Sequence, residues 1–179
     1  MFHLTAQSGG DPVAVMQRVA AAFVTGVPAI GVARSMSVST HVGGEDAHEW
    51  DGVIGAAEIA QLAAHRDLTR FTMDCDLRCE DTEGHELVIR DGLTFWVQLA
   101  ELDSPPTDPL EVTLALDADI YIAHSWGEDR DNRALAAINA PIFNRFLERL
   151  LRETGAVVES VSATGYKGQV DKTGIVLPG

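Results

Sequence analysis

Histidines and carboxylates crowd one short stretch of the chain. His41-Val42-Gly43-Gly44-Glu45-Asp46-Ala47-His48-Glu49-Trp50-Asp51 holds two imidazoles and four carboxylates within eleven residues. Imidazole and carboxylate suit zinc, iron or manganese, and a catalytic site keeps one position open for water. His41, His48 and Asp51, with His124 in support, would make a metal-assisted hydrolase, the alternative function. The glycines would let the backbone gather the ligands. The H-x₆-H spacing matches no familiar metal motif, so the favoured reading needs no cofactor. There the stretch is a solvated or partner-contact loop, with Glu45, Asp46 and Trp50 meeting the partner, since an exposed tryptophan is a typical interface anchor.

Two further groups could carry chemistry. Asp74 and Asp76 share one face of a strand, and Asp117 and Asp119 share parity in a later segment. On neighbouring strands their carboxylates would meet, to bind a hard cation, share a proton or face a basic partner. The plainer role is a solvated sheet face relieved by Arg70 and Arg78. His124-Ser125-Trp126 is the last group. Adjacent strand residues point to opposite faces, so His124 and Ser125 cannot act as a nucleophile–base pair. No phosphate-binding glycine loop and no G-x-S-x-G motif is present.

The elements that position these groups follow from periodicity. Asp11 and Pro12 open a helix over 11–25, with Val13, Met16, Val19, Ala20, Phe23 and Val24 on one stripe and Gly26 at its end. Residues 34–42 alternate as a strand, residues 45–52 read as a polar loop, and a short helix covers 55–66. Residues 69–80 alternate strictly, with Phe71, Met73, Cys75, Leu77 and Cys79 inward. Cys75 and Cys79 are too far apart on one strand to bridge, so both are expected as buried free thiols. Asp91-Gly92 predicts a two-residue hairpin between 86–90 and 93–102. Residues 110–125 read as a hairpin or one bent strand. A helix over 131–154 contains Pro141, which must kink it or start a new one, with Asn139 as a cap for the second half. Residues 156–162 close the sheet, and 163–179 read as a less ordered tail.

The expected fold is α+β: one domain over 1–179, with a mainly antiparallel sheet of about five to seven strands, two longer helices and one short one. The chain has 179 residues and a net charge of −14. Residues 44–129 carry −17 and the remainder +3. That sign opposes nucleic acid and anionic membranes as partners. No run of about 18 apolar residues and no signal peptide is visible in the sequence, and buried thiols suit a cytoplasmic protein. Arginine outnumbers lysine eleven to two, a bias that together with many alanines fits a bacterial, GC-rich coding preference. The function this composition favours is an acidic, soluble, non-catalytic interaction protein. It would neutralise or regulate a basic protein partner, as an immunity-type protein does, because charge complementarity selects and speeds encounter. A homo-oligomer through an exposed edge strand is a further expectation.

Overall fold

The computed structural model describes residues 1–40, 46–65, 67–100, 105, 107–124, 131–163 and 168–177. Its elements run β1 (Phe2–Ala6), α1 (Pro12–Gly26), β2 (Gly31–Thr40), β3 (Asp46–Asp51), α2 (Ala56–Gln61), β4 (Leu68–Glu80), β5 (Glu86–Leu99), β6 (Leu110–Leu116), α3 (Arg133–Thr154), β7 (Val157–Val161), β8 (Val170–Asp171) and β9 (Gly174–Ile175). Seven strands form one antiparallel sheet in the order β3-β2-β4-β5-β6-β1-β7, and β8 and β9 make a separate small hairpin. The fold is α+β, with two long helices and one short one.

One face of the sheet is covered. Phe2 and Leu4, Met36 and Val38, the odd-numbered residues 71–79 of β4, Leu93, Phe95 and Val97, and Leu110, Val112 and Leu114 are all buried there. Helices α1 and α3 close over them. Phe23 of α1 stacks flat on Phe95, with ring centroids 4.0 Å apart, and meets Phe146 of α3 edge-on at 5.8 Å. Asp11 caps α1 by accepting the Ala14 N–H at 3.0 Å, and Gly155 ends α3 at φ 70°. Pro12–Ala29 has the length and composition of a membrane span, yet Val15, Met16, Val19, Ala20 and Phe23 are buried in the core.

Several local expectations change. Asp46–Asp51 is a strand paired antiparallel with β2, not a loop, because His48 and Trp50 alternate in step with Val38 and Met36 opposite. Asp91-Gly92 makes no hairpin turn. Both halves of 86–99 pair with β4, with a bulge between Cys75 and Leu77. Asp91 takes φ 50° there, and its N–H donates to the Asp76 carboxylate at 3.2 Å. A bulge built on a left-handed residue, as at Asp91, and a primed turn both need positive φ, so this dipeptide serves either. The real turn lies at 81–85, where the Asp81 carboxylate accepts the N–H groups of Glu83 and His85, each at 2.8 Å. The 110–125 segment is neither hairpin nor bent strand: β6 ends at Leu116 and a 3-10 turn follows at Asp119–Tyr121. The strand Phe2–Ala6 is an addition to the elements that periodicity predicts.

Asn139 does not cap a second helix, and α3 runs through Pro141 as one element. Its amide instead grips β4: Oδ1 accepts the Glu80 N–H, and Nδ2 donates to the Glu80 and Leu135 carbonyls, each at 2.9 Å. Asn144 grips Ile175 of β9 through both N–H and C=O, at 2.8 and 2.9 Å. Gln169 holds the N–H and C=O of His124 in the same way, at 2.9 and 3.3 Å. These amides do for single residues what a neighbouring strand would do. Asn144 and Gln169 anchor the described part of 163–179 to the body.

Candidate functional site

Among the described residues, no helix packs on the second face of the sheet. Alternation places the outward residues of each strand on it. One row crosses the whole width in register: Glu49, Ser37, Thr72, Trp96, Thr113, His3, Ser160. Trp96 is half-buried at the centre, and Thr113 directly opposite is only 4% exposed. The next row contains Asp51, Ser35, Asp74, Thr94 and Ala115.

Asp74 and Asp76 are held in place. Asp74 accepts the Ser35 hydroxyl at 3.1 Å on one side and the Thr94 hydroxyl at 3.0 Å on the other. Asp76 pairs with the Arg34 guanidinium at 3.1 Å. Elsewhere on the face Gln98 donates to Glu111 at 2.8 Å, and Thr5 to Glu159 at 3.0 Å. The register and side-chain contacts give this face Glu49, Asp51, Asp74, Asp76, Glu80, Glu86, Glu111 and Glu159 against Arg34, Arg70 and Arg78, and alternation after Ile89 adds Arg90. Carboxylates therefore exceed guanidinium groups two to one.

The expected cross-sheet meeting of Asp74 and Asp76 with Asp117 and Asp119 does not occur, because β5 lies between β4 and β6. Asp117 follows the end of β6, and its N–H donates to the Gly92 carbonyl at 2.8 Å. Asp119 opens the 3-10 turn.

The predicted metal group divides in a similar way. His41 and Glu45, and the Asp46 side chain, lie outside the described residues. His48 stands opposite Val38 on the helix side of β3, while Asp51 stands opposite Ser35 on the open side. A strand cannot aim both at one ion. His48 packs instead on Trp50 at 4.2 Å and lies 6.2 Å from the His65 ring. Trp50 is half-buried against the core, and its indole N–H donates to Gln61 Oε1 of α2 at 3.1 Å. Among the described residues, no three His, Cys, Asp or Glu side chains form a metal-binding group. Ser125 and Trp126 lie outside the described residues.

Cys75 and Cys79 are free and buried. Burial pushes the Cys75 thiol far up, and the charges of Asp74 and Asp76 push it further. Burial also raises Cys79, whose thiol donates to the Tyr121 hydroxyl at 3.3 Å. Thiols held protonated in this way are poor nucleophiles and poor metal ligands.

Sequence reasoning missed the central member of this surface. Trp96 belongs to the alternating strand 93–99, but only the strand order shows that no helix among the described residues packs on its face. Compared with family models, curated proteins and solved structures, the chain matches none of them.

Proposed function

We propose that this protein is an acidic, non-catalytic binding module that docks a basic protein partner on its open sheet face and so neutralises or regulates it. The supporting observation is the seven-stranded face on which no helix packs among the described residues, with half-buried Trp96 at its centre and carboxylates in twofold excess around it. Six strand spacings and five to six residues per strand give a face of roughly 30 by 18 Å, about 550 Å² in projection. That approaches the ~800 Å² each partner contributes to a standard interface. The cross-strand hydrogen bonds fix the acids before any partner arrives, which lowers the ordering cost of binding. An immunity-type protein, which blocks a basic toxin by covering it, is the concrete form of this reading.

The test is partner capture followed by rebinding with purified components. The expected partner is basic, and its affinity falls as salt rises from about 50 to about 500 mM. Trp96→Ala weakens binding at least tenfold while the melting temperature holds. A partner whose binding ignores both salt and Trp96→Ala would refute the assignment.

A further inference from the structure

β4 and β5 outrun their neighbours. β2 pairs with β4 only as far as Leu77, and β6 pairs with β5 only from Leu93 to Leu99. Residues beyond these limits form a two-stranded arm. On the β4 side its backbone is already satisfied: the Arg78 N–H donates to the Ile30 carbonyl at 2.8 Å, and Asn139 holds both polar groups of Glu80. On the β5 side, among the described residues, no strand pairs with Glu86–Arg90.

The direction of the free groups follows from antiparallel geometry, in which opposed residues alternate between bonded and non-bonded pairs. Arg78 and Glu80 point their main-chain groups away from β5. Their partners Val88 and Glu86 therefore occupy non-bonded pairs and aim their own N–H and C=O at the open edge. The Asp91 N–H turns back to Asp76, so Arg90 before it also faces outward.

The side chains along this edge match themselves. Glu86-Leu87-Val88-Ile89-Arg90 has one charge pattern read forward and its complement read backward. An antiparallel second copy centred on Val88 sets Glu86 opposite Arg90, Leu87 opposite Ile89, and Val88 opposite Val88. Val88 is 55% exposed and Leu87 38%. Between its end charges the segment has no lysine, proline or inward charge, the devices that normally keep edges apart. We infer that Glu86–Arg90 of β5 is a homodimerisation edge, where two copies of this chain pair antiparallel about a two-fold axis at Val88. About six main-chain hydrogen bonds would join them, with two Glu86–Arg90 pairs flanking the Val88 contact on the open face. This assignment does not depend on the basic-partner reading.

Sedimentation equilibrium of the full chain, from about 1 µM to about 1 mM at ~150 mM salt, tests it. The expected result is a monomer–dimer equilibrium inside that range. Glu86→Arg alone and Arg90→Glu alone each place like charges opposite one another and weaken it at least tenfold. The double variant returns to within about threefold of the native value. Val88→Pro removes only an outward N–H and abolishes the dimer with the circular-dichroism melt preserved. A monomer at every concentration would overturn the inference. So would a dimer indifferent to Val88→Pro, or a double charge variant no better than the singles. Should Val88→Pro fail to fold, the charge series decides alone.

Discussion

Asn139→Ala is the sharpest test of how the acidic arm is held to the body. Asn139 is 1% exposed and makes three hydrogen bonds of 2.9 Å, two to Glu80 and one to Leu135. Each is worth about 1 kcal/mol net, and stranding a buried partner costs more than the mean. Leu135 C=O keeps its helical neighbourhood, and Glu80 regains some water through its exposed side. The two Glu80 bonds and the small cavity therefore dominate, for a total of about 3 kcal/mol. At roughly 3 °C per kcal/mol for a chain of this length, the melting midpoint falls by about 9 °C. Urea denaturation should show the midpoint moving with the slope m unchanged. Asn139→Asp gives the sign. Its carboxylate would face two carbonyl oxygens, so the folded-state pKa rises above the unfolded ~3.9. Stability is then retained below about pH 4 and lost as pH rises through the folded pKa. A loss under about 0.5 kcal/mol for Asn139→Ala, or no pH dependence for Asn139→Asp, would refute the clamp.

Other expectations are narrower. A Cβ at Gly31 would collide with the Asp76 main-chain carbonyl, so Gly31→Ala should cost at least ~3 kcal/mol or prevent soluble expression, as read by chemical denaturation. Cys75 and Cys79 should both resist an aromatic disulfide reagent at pH 8 in the native state and react in urea at the rate of small thiols. The Arg133 guanidinium, at 2.6 Å, holds the exposed Asp131 carboxyl down at about 2. Its contribution to stability is present above the unfolded ~3.9 and disappears as pH falls towards 2. Carboxyl-carbon NMR should show that low midpoint, and Arg133→Ala should move it back towards the ordinary value.

Strongly periodic segments were legible from the residues alone. The alternation of 69–80 specified β4 and its buried set, and the Asp11–Gly26 caps framed α1. Phe2, Leu4 and Ala6 also alternate, but a run of five is too short to stand out without the partners that β6 and β7 supply. Asp91-Gly92 misleads for a physical reason, because a bulge with a left-handed residue makes the same demand on φ as a primed turn. Asn139 looked like a cap because amides favour caps, whereas its actual partner lies 59 residues away. The candidate site was least visible. Trp96 and Asp74 share the open face, and Glu86 and Arg90 share an unpaired edge, only once strand order and the end of β6 are known.

The placement of β1 carries a consequence for how the chain is made. β1 lies between β6 and β7, with Phe2 opposite both Leu114 and Val161. It precedes the other six strands of its sheet in synthesis, yet it can be seated only after β6 exists, more than a hundred residues later. Closing so long a loop is entropically slow, and contacts this distant in sequence place a protein among slower folders. Until then Phe2 and Leu4 have no strand to pair with, and until β1 is seated β6 and β7 have nothing between them. The nascent chain therefore passes through a state with an unfilled slot and a loose apolar strand, the combination that exchanges segments between molecules.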